Sequence, residues 1–270
     1  MKPAAFDYVR AEHLDEALDV LGREGSDARI IAGGQSLMAM LNMRLAKPKT
    51  LIDIMGLGEL ARIETKGSTI KVGAAVRQAS LLEWPDLGRS LQLVALALPW
   101  TGHVQTRSRG TVCGSIAHAD PSAELPLVLQ ALGGEVHLRN AKQRRRVAAK
   151  DFFAGMMATT RTDDELIEAV SFPITQKRCA FREVARRHGD FAIVACAAVA
   201  TADGVRLAIG GVADMPAVRD FPRLDGSALD DALNGFAYEL DARDDVHATA
   251  RYRRDLVRMI GRDLVREVLQ

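Results

Sequence analysis

Cysteine is scarce in this 270-residue chain: there are three, at 113, 179 and 196, with no CxxC pair among them. That scatter excludes a disulfide framework and leaves no ligand set for structural zinc or a protein-held iron–sulfur cluster. Charge of neither sign dominates. Lys and Arg number 36 against 35 Asp and Glu, so no footprint for nucleic acid or an anionic membrane is expected. Long hydrophobic runs are missing as well; the most apolar stretch, 91–100, is half of a membrane span. The first twenty residues carry acids where a signal peptide needs an apolar run. These absences point to a soluble, cytoplasmic protein. What is present is ordinary globular material, 48% hydrophobic and 26% charged, in a chain long enough for two or three modest domains.

Hydrophobic spacing divides the chain into three regions, 1–56, 57–175 and 176–270. In the first, Leu14, Ala17, Leu18 and Leu21 fall at helical spacing and predict an amphipathic helix over 13–23. A short β-type run at 28–32 meets two glycines, an apolar helical segment begins near Ser36, and 50–54 reads as a buried strand after Pro48. Strand, glycine turn, helix and strand make a small α/β unit. In the second region, alternating runs flank Lys66-Gly67-Ser68, a hairpin signal. Helices are expected at 87–98 and 123–132 around a glycine-containing loop at 109–121, followed by a hairpin turning near 140–142 and a strand at 165–172. The third region holds β-type runs at 179–186, 191–202 and 205–213. A helical tail over 244–270 follows, with Leu256, Met259, Ile260, Leu264, Val265 and Val268 as its apolar stripe. The expectation is an α+β chain ending in a three-stranded antiparallel sheet with helices.

Three segments carry chemistry. Ala32-Gly33-Gly34-Gln35-Ser36 places two glycines between a strand and a helix, where backbone can approach a ligand closely and free N–H groups attract an anion. It matches neither a P-loop nor a GxGxxG fingerprint, and an ordinary turn capped by Ser36 fits it too. Residues 109–115, leading through His118 and Asp120 to Pro121, have the same small, hydroxyl-rich character. Two such loops could clamp one extended dinucleotide. His118 with Asp120, or Cys113 with His118, form candidate catalytic pairs; against that stands a plain helix start at 120–122 and no third orienting residue. In the third segment, 181–191, the cations Arg182, Arg186 and Arg187 could face an anion or line a solvated strand edge, and Phe191 could anchor a core or cover a flat ring. Arg144, Arg145 and Arg146 on a hairpin read as a solvated or subunit-facing patch.

Taken together, these segments resemble the FAD-binding medium subunit of molybdenum hydroxylases, the family of carbon monoxide and xanthine dehydrogenases. AGGQSL at 32–37, TVCGSIAHADPSAELP at 111–126, DELI at 164–167 and ARRHGDFA at 185–192 stand in the family's order and spacing. The resemblance implies a two-part FAD-binding architecture like that of vanillyl-alcohol oxidase, with subdomains at 1–56 and 57–175 and a C-terminal α+β domain at 176–270. It implies non-covalent FAD, held through its pyrophosphate by Arg29, Ala32, Gly33, Gly34, Gln35, Ser36 and Leu37 on one side and Thr111, Gly114 and Ser115 on the other. Glu124, with Asp120 close by, is implied on the ribose side, and Leu166 and Ile167 at the adenine end. Arg182 would stand near the flavin pyrimidine ring, where a cation stabilises the reduced form, and Phe191 would cover the isoalloxazine. No catalytic acid or base and no metal ligand is implied for this chain.

The implied function is electron transfer. Substrate oxidation would fall to a molybdenum cofactor on a large partner, with 2Fe–2S clusters on a small partner, in a dimer of heterotrimers. Two positions depart from the family: Cys113 replaces the first glycine of TxGG, and Phe191 stands where some relatives have Tyr. The rivals are a self-contained flavin oxidase or reductase, for which only His118 or His103 offers a general base, and a non-redox phosphate-binding module.

Overall fold

The computed structural model describes residues 2–270. Its first lobe is a parallel sheet in the order β1-β3-β2, formed by β1 (Asp7–Arg10), β2 (Ala28–Ile31) and β3 (Thr50–Asp53), with α1 (Leu14–Glu24) and α2 (Leu37–Asn42) as crossovers. α1 buries Leu14, Ala17, Leu18 and Leu21, the stripe that its spacing predicts. Asp15 and Glu16 sit in its first turn and Arg23 in its last, each matching the helix dipole. Gly25 ends it at φ +54°, a left-handed value suited to glycine.

The second lobe is a five-stranded sheet in the order β4-β5-β10-β6-β7, from β4 (Ile63–Lys66), β5 (Thr69–Gly73), β6 (Glu135–Arg139), β7 (Arg144–Ala148) and β10 (Leu166–Pro173). Both predicted hairpins form, turning after Lys66 and after Arg139. Between β5 and β6 run α3 (Gln78–Leu82), α4 (Leu87–Ser90), α5 (Gln92–Ala97), α6 (Val104–Arg109), α7 (Val112–His118) and α8 (Glu124–Leu132). α9 (Ala149–Phe152) and a small hairpin of β8 (Phe153–Gly155) and β9 (Ala158–Thr159) precede β10. Arginines on the edge strand β7 guard it against pairing with another chain; Arg145 forks onto the buried Glu165 at 2.6 and 2.7 Å.

The third lobe is an antiparallel sheet of β11 (Cys179–Val184), β12 (Val194–Ala200), β13 (Gly204–Gly210) and β14 (Ala217–Pro222), backed by α10 (Gly226–Glu239) and α11 (Ala250–Leu269). α8 is apolar nearly all round because it is covered on two sides, by β10 and by the face of β12 and β13 that α11 does not take. Residues of β12 therefore alternate between two cores. Ala195, Ala197 and Val199 join the core shared with the first two lobes, whereas Val194, Cys196 and Ala198 join the α10–α11 core.

Four expectations need correction. The C-terminal sheet has a fourth strand, β14, disguised by Arg219, Asp220 and Pro222 at a solvated edge. The helix expected at 87–98 breaks at Leu91 into α4 and α5, because that residue is not helical, and ends in a 3₁₀ turn with Pro99. The loop at 109–121 contains a helix, α7, capped by Thr111. On α11, Val257 replaces Met259 in the buried stripe, and Met259 faces outward. No described helix is long and apolar enough to cross a membrane.

Candidate functional site

A cleft of about 700 Å³ runs between the lobes, and all three contribute to its walls. One wall is the turn after β2. Gly34 takes φ +70°, and Gly34 O accepts from Met38 N at 3.0 Å as α2 begins. The amide N–H groups of Gly33, Gly34, Gln35 and Ser36 have no acceptor among the described residues, leaving a short run of free donors.

The opposite wall is the turn into α7. Thr111 Oγ1 accepts from Gly114 N at 3.0 Å, and the turn is sutured to the 76–78 segment by Gln78 N to Gly110 O (2.8 Å) and Val112 N to Val76 O (3.1 Å). The two walls touch at Gly33. A methyl group built there would overlap the Arg109 carbonyl oxygen and lie 2.7 Å from Gly110 Cα. Only glycine permits that approach.

Farther along, Glu124 opens α8. It is buried, and its Oε2 accepts from Thr101 Oγ1 at 3.0 Å; burial pushes its carboxyl up to about 7. Asp120 lies beside it, its Oδ1 turned to Ser122 N at 2.8 Å. At one end of the cleft stand Leu166 and Ile167 of β10 with Arg29, which is 3.5 Å from Asp163. Phe191 stands in the cleft wall, 64% exposed, on a loop whose Gly189 (φ +87°) packs on His103.

Arg29, Ala32, Gly33, Gly34, Gln35, Ser36, Leu37, Thr111, Gly114, Ser115, Asp120, Glu124, Leu166, Ile167 and Phe191 thus all line one cleft. Arg182 does not. On β11 it pairs across the ladder with Cys196, on the face that packs against α11, and its guanidinium binds Asp263 (3.2 Å) and Glu267 (3.3 Å). Strand alternation instead turns its neighbour Glu183 toward the cleft lobe. Arg182→Ala is accordingly expected to leave a bound flavin's potential at the wild-type value in a spectroscopic redox titration. Half-exposed ion pairs of this kind contribute under about 1 kcal/mol to stability. A fall in potential would restore Arg182 to the site.

Cys113 is accommodated without strain. It lies in α7, outside the left-handed residues, with Sγ donating to Val72 O at 3.5 Å, and burial pushes its thiol up to about 12. His118 lines the cleft but has no hydrogen-bond partner from Asp120 or Cys113. Arg187 pairs with Asp190, and Arg186 and Arg187 are both exposed on the loop after β11.

Among the cleft residues that escape the sequence reading are Arg161 and Gln78. Arg161 sends Nη1 to the carbonyls of Thr162 and Glu165, both at 2.7 Å, and burial together with the Arg29 charge lowers its pKa. Gln78 is buried on the wall with its Oε1 unpartnered among the described residues. Neither stands in a recognisable spacing.

Free donors on one glycine turn, a second turn pressed against it, an orphaned acceptor and a buried acid suit an extended ligand with a pyrophosphate and sugar hydroxyls. The residues present fit a dinucleotide. A family model described as the FAD binding domain in molybdopterin dehydrogenase matches residues 4–175, and the chain belongs to this family, the FAD-binding medium subunits of molybdenum hydroxylases. It is 36% identical to the nicotine 6-hydroxylase medium subunit of Paenarthrobacter nicotinovorans over 98% of each chain. To the 6-hydroxypseudooxynicotine dehydrogenase complex subunit alpha of the same organism it is 40% identical, over 75% of this chain and 69% of that one. The crystal structure of quinoline 2-oxidoreductase from Pseudomonas putida 86 superposes with a TM-score of 0.93 at 32% identity, over 99% of this chain and 98% of that chain. The cofactor is FAD, and the protein is an oxidoreductase subunit.

Proposed function

We propose that this chain is the electron-transferring FAD subunit of a heterotrimeric molybdenum hydroxylase. In this reading electrons arrive from 2Fe–2S clusters on a small partner, after substrate oxidation at a molybdenum cofactor on a large partner, and leave for a terminal acceptor. The observation that carries it is the joint wall at Gly33, where two glycine turns meet beside free N–H donors, in a chain alike over its whole length to the medium subunit of nicotine 6-hydroxylase. A dimer of heterotrimers in the cytoplasm, and units bounded at 56 and 175, belong to the same proposal.

Bound FAD supplies the step between two-electron and one-electron chemistry. The protein's part is to hold and tune it. The Gly33–Ser36 amides and the Thr111 and Ser115 hydroxyls would hold the pyrophosphate, with Gly114 leaving room for it; Glu124 would accept from a hydroxyl; Arg29 and Ile167 would frame the adenine end; Phe191 would screen the flavin ring from solvent.

The test is to co-express the chain with its partners and compare it with the chain alone. FAD is expected near one per chain, and acid denaturation should release all of it into the supernatant. Substrate oxidation should appear only with the partners. Turnover of an organic substrate by the isolated chain would favour a self-contained oxidase using His118 or His103. Flavin retained on the denatured chain would overturn the non-covalent assignment. Phe191→Ala should keep FAD and speed reoxidation of the reduced protein by oxygen in stopped flow; an unchanged rate would remove Phe191 from the ring.

A further inference from the structure

Gln78 is the first residue of α3 and sits, 4% exposed, in the cleft wall. Its backbone is fixed. Gln78 N donates to Gly110 O at 2.8 Å, Val112 N donates to Val76 O at 3.1 Å, and Arg77 between them pairs with Thr111. Its side chain is not fixed in this way. Oε1 has no hydrogen-bond partner among the described residues, and a buried carbonyl without a donor works against the fold. Its neighbour is Gly110, the residue that Gly33 approaches from the other glycine turn. A methyl group built on Gly110 would lie 3.1 Å from Gln78 Oε1 and 3.0 Å from Thr106 O, so the carboxamide stands beside the joint of the two turns.

The surrounding contacts give the joint a direction. Gly110 N donates to Thr106 O at 2.7 Å, and a methyl group built on Gly102 would lie 3.0 Å from Thr106 Cβ. His103 in turn meets Gly189, on the loop that carries Phe191. Gln78 is therefore on the side that leads to Phe191, whereas Arg29, with Leu166 and Ile167, belongs to the end beside Asp163. An unpartnered acceptor there calls for a donor from the ligand. A pyrophosphate at neutral pH carries no proton to give, and the free amides of the Gly33–Ser36 turn already face it with donors. On the flavin side of an FAD the nearest donor to the pyrophosphate is the ribityl 4′ hydroxyl, on the carbon beside the phosphorylated one.

We propose that Gln78 holds the cofactor by accepting, through Oε1, from the ribityl 4′ hydroxyl, and so fixes where the chain leaves the pyrophosphate for the flavin ring. This rests on the cleft being the FAD site. The terminal torsion of a glutamine is soft, so the carboxamide swings from Gly110 toward the hydroxyl without moving α3. Binding satisfies an acceptor that the flavin-free protein leaves unpaired.

The experiment titrates FAD and 4′-deoxy-FAD, which lacks that hydroxyl, into flavin-free wild type and Gln78→Met, and records thermal unfolding of both flavin-free chains. Wild type should bind 4′-deoxy-FAD about tenfold more weakly than FAD, the size of one net hydrogen bond. Gln78→Met should bind FAD about tenfold more weakly than wild type does, and should no longer distinguish the two cofactors. Its flavin-free midpoint should equal or exceed that of wild type, because an apolar side chain of similar shape replaces an unpaired polar one. Equal affinity of wild type for the two cofactors overturns the proposal, whether or not the variant folds. A loss in Gln78→Met that is the same for both cofactors moves the carboxamide to the pyrophosphate and overturns it as well. So does a lowered flavin-free midpoint with the discrimination between cofactors retained, the mark of a packing role. If wild type binds no FAD, the cofactor reading itself fails, and the Gln78 contact falls with it.

Discussion

Gly33→Asp should emerge from gel filtration folded but colourless, with essentially no FAD. Two effects act together at this position. Any side chain meets the Arg109 carbonyl and Gly110 Cα across the joint wall, so the two glycine turns must separate. A carboxylate would then stand among the free amide donors proposed to hold the pyrophosphate, at contact range and out of bulk water, where like charges repel by several kcal/mol. Gly33→Ala isolates the steric part and should retain weak binding. Gly34→Ala should be milder still: its φ of +70° makes a Cβ cost roughly 1 kcal/mol, and the nearest neighbour is the flexible Met38 side chain at 3.3 Å. The ratio of flavin to protein absorbance, with circular dichroism to confirm folding, ranks the three. Near-stoichiometric FAD on folded Gly33→Asp would remove the pyrophosphate from this turn.

Much of this site is legible in the sequence because its chemistry is local. A turn such as 32–36 declares its glycines and its following helix within a few residues, and two such turns in family order are enough to place one cleft. Arg182 shows where that legibility stops. Its sequence neighbourhood is rich in cations, but which way a strand residue points depends on register, and shifting parity by one exchanges the faces. β12 fixes the register by pairing Arg182 with Cys196, and α11 supplies Asp263 and Glu267 from 81 and 85 residues away. Nothing local foretells those partners. β14 is hidden differently: an edge strand with one solvated face need not look hydrophobic. The interior of α8 is easier, because a helix apolar all round can only be buried.

Arg253→Met should be strongly destabilising for a change outside the apolar cores, by about 2–5 kcal/mol, from roughly 1–3 kcal/mol for each of two carbonyls left without a donor. Arg253, on the first turn of α11, is 5% exposed, and its Nη1 donates to Ile193 O (2.7 Å) and Gly211 O (2.5 Å) while Nη2 reaches Asp245 (2.6 Å). Methionine fills most of the space but donates nothing, leaving two carbonyls orphaned. The damage should travel to the cleft. Gly211 (φ +79°) donates its N–H to Pro121 O at 2.8 Å, on the turn between α7 and α8, and Ile193 follows Phe191 by two residues. Arg253 therefore ties α11 to two segments that reach the cleft wall, one bonded to the Pro121 turn and one carrying Phe191. Its carboxylate partner adds a pH signature. Partial burial works against the Asp245 charge, but the N–H groups of Ala248 and His247 and the Arg253 guanidinium outweigh it and hold the carboxyl below its ordinary value. A depressed pKa contributes stability that is complete above the unfolded value and is lost as pH falls toward the folded one. The gap between wild type and Arg253→Met should thus narrow as pH drops below about 4, near the unperturbed carboxylate value. Thermal unfolding of the FAD-loaded protein at neutral and acid pH reads both effects, with a neutral-pH drop of roughly 10 °C expected from a loss of this size. An unchanged midpoint would mean that α11 holds these carbonyls without the guanidinium.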